Sequence, residues 1–187
     1  MTTKPLDLDK LKSKDPKVKY GFAKELLKTG ADNPGLLYDN FDDWIKMMTG
    51  DNNVLKWTAI DIIGYLSAVD KDNKTDGKIK DIIELLHGGN LITSNHAVFA
   101  LGLIAKNKPG KRKEIIKELL LVSKDKFDNQ DCHDIVTGKV LETLKKFLND
   151  IRDDQDVLNF IKQAERCRRP ATRKKAVYLR NKIKKLS

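Results

Sequence analysis

The stretch RCRRPATRKKAVYLRNKIKKLS, residues 166–187, holds five arginines, five lysines and no acid. Taking these ten from the 37 basic residues leaves 27 against all 27 acidic ones, so the formal charge of +10 resides in the last 22 residues. Five of the seven arginines are here. Arginine forks around phosphate or carboxylate oxygens, where lysine acts as a point charge. The chemistry on offer is the binding of a polyanion. With nucleic acid, Arg168, Arg169, Arg173 and Lys174 would meet phosphates, and Arg180, Lys184 and Lys185 would extend the track. Such contacts are largely independent of base sequence and weaken steeply with salt. Cations near a helix C-terminus also complement its dipole and aid solubility. That accounts for some of the charge, but not for ten cations without an acid.

Other reactive residue types are scattered. Cys132 adjoins His133, Cys167 stands alone in sequence, and His87 and His96 lack the spacing of a ligand pair. No C-x2-C or spaced His pair appears, so neither a metal nor a cofactor is expected. The loop DKDNKTDGKIKD offers Asp70 and Asp72 at calcium-loop spacing, but Lys74 and Thr75 stand where a ligand and a glycine are needed. HGGN is a helix-ending turn, because it lacks the Lys-Ser/Thr of a phosphate loop. The acids of YDNFDDW and IRDDQD sit near helix starts, as caps and dipole partners do. No catalytic signature is present, and the expectation is a protein that is not an enzyme. Two cysteines give no disulfide framework, which points to a reducing cytoplasm. No apolar stretch approaches the roughly 20 residues of a membrane span, and MTTKPLDLDKLKSKD lacks the apolar core of a signal peptide.

The elements that must position these residues are helices. Apolar runs of helical period alternate with polar breaks rich in Gly, Asn, Asp and Pro: KTGADNPG, MTGDNN, DKDNKTDG, HGGN, KNKPGKR, KDKFDNQD and NDIRDDQD. No segment alternates with a two-residue period, so the expected class is all-α. Helices are expected in pairs, the first members near 36–48, 75–87, 111–123 and 154–165. The second members are expected near 16–29, 52–68, 91–106, 130–149 and 170–186. The second members repeat a pattern around five anchor residues, Ala23, Ala59, Ala97, Val140 and Ala176, spaced by 36, 38, 43 and 36 residues. Apolar or small residues recur five before, three after and seven after each anchor, and are expected on one buried face. Four after the anchor stand Leu27, Ile63, Leu101 and Leu144, and then Arg180. A charge in that column marks 170–186 as a capping helix whose far side meets solvent or a partner.

This periodicity resembles that of the HEAT-repeat family over about residues 16–186, best in NNVLKWTAIDIIGYL and ITSNHAVFALGLIA. The resemblance implies a right-handed α-solenoid of about four to five helix pairs, with second helices lining the concave side. Residues 16–187 would form that single domain, and 1–15 an N-terminal cap or flexible segment. Two before and two after the anchor, Trp57, Asp61, Phe99 and Tyr178 point away from the core stripe. They would offer a concave contact surface, or else pack against adjoining helices. The expected function is a non-enzymatic module that holds a protein partner on this side, its basic helix docking on an acidic or polyanionic surface. The second reading is a nucleic-acid binder using the concave face and last helix as one groove. Trp57 and Asp61 also resemble a pair in HEAT-like DNA alkylpurine glycosylases, where an aromatic meets the modified nucleoside and a carboxylate the reacting sugar. The second downstream Trp of that family is missing here.

Overall fold

The computed structural model describes residues 6–186, so residues 1–5 of the expected N-terminal segment, and Ser187, lie outside the described residues. Every regular element within them is helical, and the chain is all-α. The polar breaks act as helix caps. Asp15 accepts from the Lys17 N–H, Asn52 from Val54 and Leu55, Asn90 from Thr93, Asn129 from Cys132, and Asp154 from Asp156 and Val157. Each satisfies amide donors that a helix start leaves without a partner, and each is worth about 1 kcal/mol. The chain gathers into two compact units, Met1–Gly77 and Lys78–Ser187, divided at the end of the break DKDNKTDG.

In the first unit, α1 (Pro16–Asp32) and α2 (Phe41–Thr49) pack on α3 (Asn53–Leu66). A 3-10 turn, Leu8–Lys12, buries Leu11 against α1. A second, Pro34–Asn40, precedes α2 where the spacing predicts a helix from 36. Its Leu37 carbonyl accepts the indole N–H of fully buried Trp44 at 2.9 Å. The loop after α3 is organised by buried Asp70, whose carboxylate accepts from the Lys74 N–H, the Thr75 N–H and the Tyr38 hydroxyl. Asn73 takes the left-handed φ of 56° that this tight turn needs, a conformation Asn tolerates better than most residues.

In the second unit, α5 (Leu91–Asn107), α7 (Gln130–Leu144) and α10 (Pro170–Lys184) lie side by side. Contacts between the last two advance together, Asp134 meeting Thr172, Glu142 meeting Lys175 and Lys145 meeting Tyr178, so α7 and α10 run parallel. α4 (Ile79–Leu86) and α6 (Pro109–Leu121) pack on α5, while α9 (Gln155–Ala164) packs on α6, α7 and α10. The expected helix 130–149 ends at Leu144. The chain tightens into a 3-10 turn over Lys145–Phe147, which turns Phe147 into the core beneath the Arg112 guanidinium, before the short α8 (Leu148–Ile151).

The anchor residues Ala23, Ala59, Ala97, Val140 and Ala176 are all buried, as are the residues three and seven positions after them. The column five before is not part of that face: Val18 and Ile92 are exposed, and Ala171 with them. Five residues turn a helix through about 500°, which leaves that column roughly 100° from the centre of the buried stripe. Glycines outside the anchor column mark close helix approaches, and a Cβ on Gly30 of α1 would stand 2.8 Å from Tyr65 Cδ2 of α3. A Cβ on Gly102 of α5 would stand 2.7 Å from Thr143 Cγ2, and one on Gly138 of α7 would stand 2.9 Å from Thr172 Oγ1.

Candidate polyanion-binding face

The basic C-terminal segment folds as α10, and much of its arginine charge is taken up by the chain itself. Arg169 Nη1 reaches both carboxylate oxygens of Asp131 at 3.0 Å. Arg173 Nη1 donates to the Cys167 and Arg168 carbonyls. Arg180 Nη1 donates to Glu165 Oε2 at 3.3 Å, and its Nε lies 3.1 Å from Oε1. In the first and last repeats the column four residues after the anchor, Leu27 and Arg180, is half-buried; in the three between it is buried. Arg168, Lys174, Lys184 and Lys185 are exposed. The predicted track therefore divides into structural arginines and solvent-facing cations.

Asp134, fully buried on α7, sets where α10 begins. Its Oδ1 accepts from Gln130 at 2.8 Å, its Oδ2 from the Arg169 N–H at 2.9 Å, and its carbonyl from the Thr172 hydroxyl at 2.7 Å. Burial pushes this carboxyl up, but the hydrogen bonds from Gln130, Arg169, Cys167 and His133 outweigh it and hold its pKa below the usual range. The same arrangement raises the Cys167 thiol to about 12, through burial first and then the neighbouring Asp134 charge. Cys167 is thus a protonated donor rather than a nucleophile. Among the described residues no three His, Cys, Asp or Glu side chains gather as a metal ion would require. None of the helices there is long and apolar enough to cross a membrane.

A second set of cations emerges where α5, α7 and α10 meet. Lys145 Nζ stands 4.9 Å from the Tyr178 ring centroid and Lys182 Nζ 5.6 Å. Lys146 Nζ stands 6.0 Å from the Phe99 ring. Burial, then the nearby charge of Lys106, lowers the Lys146 pKa. Lys175 and Lys139 lie 2.6 and 3.5 Å from Glu142, the acid between them. Burial raises the Glu142 carboxyl, and the Lys175 hydrogen bond with the Lys175 and Lys139 charges brings it below its ordinary value. Two recesses open on this surface and Glu142 borders both. One, of about 330 Å³, is lined by Lys145, Lys174 and Tyr178; the other, of about 150 Å³, by Asn95, Phe99 and Lys146. Seven lysines (106, 139, 145, 146, 174, 175 and 182) thus surround one glutamate and two aromatic rings.

Of the aromatic and acidic candidates, Phe99 is half-buried and Tyr178 is 43% exposed, both bordering this surface. Trp57 is half-buried and Asp61 buried, both on α3 of the first unit. The lysines of α7 and of the turn after it are hidden in the sequence because the body balances to zero by formal charge. A signal is nevertheless present: one before and six after the anchor, the last two repeats hold Lys139 and Lys175, then Lys146 and Lys182.

No protein-family model matches the sequence, and a search of curated proteins gives no match. Among solved structures the chain is similar to a crystal structure of an engineered protein, with 14% identity and a TM-score of 0.57 over 95% of this chain and 78% of that one. The likeness bears on the fold alone.

Proposed function

We propose that this chain is a non-enzymatic HEAT-like module, a right-handed α-solenoid of helix pairs, that binds a polyanion on the face formed by α5, α7 and α10. The side-by-side packing of these three second helices, at the repeat period read from sequence, supports the architecture. The observation that carries the function is the gathering of seven lysines on that face, about Glu142 and the Tyr178 and Phe99 rings. Cations at the ends of α7 and α10 also complement helix dipoles, but Lys139, Lys174 and Lys175 lie outside the last turns, where a dipole gives them little. The Arg169–Asp131 and Arg180–Glu165 pairs belong to the framework that holds α10 in place. Whether the polyanion belongs to a protein or to a nucleic acid, its affinity falls with salt as counterions are exchanged. Titration with acidic and nucleic-acid polymers at low and moderate salt tests the proposal. Salt-sensitive binding that is lost on charge reversal at Lys145 and Lys174, and kept in Arg180→Ala, is the expected result. Absence of salt-sensitive binding to every polymer overturns it.

A further inference from the structure

We infer that the α5–α7–α10 face takes single-stranded nucleic acid, a base stacking on Tyr178, a second at Phe99, and the phosphates lying among the surrounding lysines. This rests on the polyanion reading of the same face and names its ligand. Tyr178 is a large aromatic left 43% exposed, with ammonium groups from two different elements, Lys145 and Lys182, close to its ring. Phe99 repeats the arrangement with Lys146 from the neighbouring element. Rings interleaved with cations suit a chain that alternates flat bases with phosphates, because every base has a face to stack and every linkage a charge to neutralise. A duplex hides its base faces, and an acidic peptide has none, so either would use the lysines and leave the rings idle.

The kinds of cation point the same way. Arg169, Arg173 and Arg180, whose planar forks could impose a fixed geometry on a ligand, are hydrogen-bonded within the chain. The lysines that remain on the face are point charges on flexible stems. They can leave the ring they cover and follow a phosphate. Beside Phe99, Asn95 and Lys146 border the same recess, which places polar groups next to the ring. The depressed pKa of Lys146 reports burial first and then a neighbouring cation, and an arriving phosphate would supply the negative charge that offsets both.

The test is fluorescence anisotropy with a labelled uridine oligonucleotide of about 15 nucleotides, a duplex of equal length and a polyglutamate peptide, at two salt concentrations. The single strand is expected to bind tighter than the other two. Tyr178→Ala and Tyr178→Leu should each weaken it roughly tenfold, and Tyr178→Phe should not. The leucine variant fills the space of the ring without a surface for stacking, so loss in Ala and Leu but not Phe separates stacking from packing. Thermal melts of all three verify the fold. Equal or tighter binding of duplex or polyglutamate, or an unchanged affinity in Tyr178→Leu, overturns the single-strand inference while leaving polyanion binding intact. If none of the three ligands binds in a salt-sensitive way, both fail.

Discussion

At the residue scale, the charges legible in the sequence carried no mark of whether they were already paired. Arg169 finds Asp131 at a separation of 38 residues and Arg180 finds Glu165 at 15, distances that no local pattern reports. The Arg180 pair is partly exposed, so Arg180→Ala should lower stability by only about 0.5–1 kcal/mol, read as the shift in a urea midpoint. Its affinity for a polyanion should not change. A larger loss of binding than of stability would return Arg180 to the ligand face. Cys167 gives a chemical check on the Asp134 network. With its thiol raised to about 12, it holds almost no thiolate at mildly alkaline pH. Iodoacetamide should therefore leave Cys167 unmodified in the folded protein and modify it once denaturant is added, as located by peptide mass. Rapid native labelling of Cys167 would show that Asp134 does not hold the proton there.

At the scale of elements, each second helix starts within one residue of the position the sequence suggests. The reason is local at four of them, where the caps Asp15, Asn52, Asn90 and Asn129 act on amides two or three residues away, and α10 instead opens on Pro170, whose fixed φ suits a first helical position. Helix crossings are different, because the point of closest approach depends on two elements at once. Three glycines mark such approaches at different places in the repeat frame: Gly30 seven after its anchor, Gly102 five after and Gly138 two before. No column collects them. The contrast between glycines is a direct test. Gly102→Ala and Gly138→Ala must displace a short β-branched threonine, which should cost about 1–3 kcal/mol. Gly21 lies within α1 with nothing within 4 Å of where an added methyl would stand, so Gly21→Ala should instead stabilise by up to about 1 kcal/mol. Urea midpoints of the three variants should move in these opposite directions. A stabilising Gly138→Ala would mean that α7 and α10 are not held at this separation.

For the molecule as a whole, the position of the excess charge was legible and its sidedness was not, since Lys139, Lys145 and Lys146 are cancelled on paper by acids elsewhere. The two compact units also carry different titrations, which gives the chain two distinct pH limits. In the second unit, Asp134 and Glu142 have folded pKa values below their ordinary ones. Their contribution is present above about pH 4 and is lost as acid protonates them in the folded state. Asp134→Asn should be less stable at neutral pH and lose less between neutrality and acid, because one titrating group is gone. In the first unit, Tyr38 is raised to about 12 by burial and then by its hydrogen bond to Asp70. A raised phenol stabilises the fold fully below its unfolded value of about 10 and ceases to do so as pH climbs through the folded value. Both tryptophans, Trp44 and Trp57, lie in that unit, and Trp44 is buried against the 3-10 turn that bears Tyr38. Urea midpoints followed by tryptophan emission should therefore fall between about pH 10 and 12 in the native sequence. Tyr38→Phe should start about 1 kcal/mol lower at neutral pH, having lost the hydrogen bond to Asp70, and then decline less over the same alkaline range. Parallel decline in the two proteins would show that the Tyr38 proton does not set the alkaline limit of the first unit.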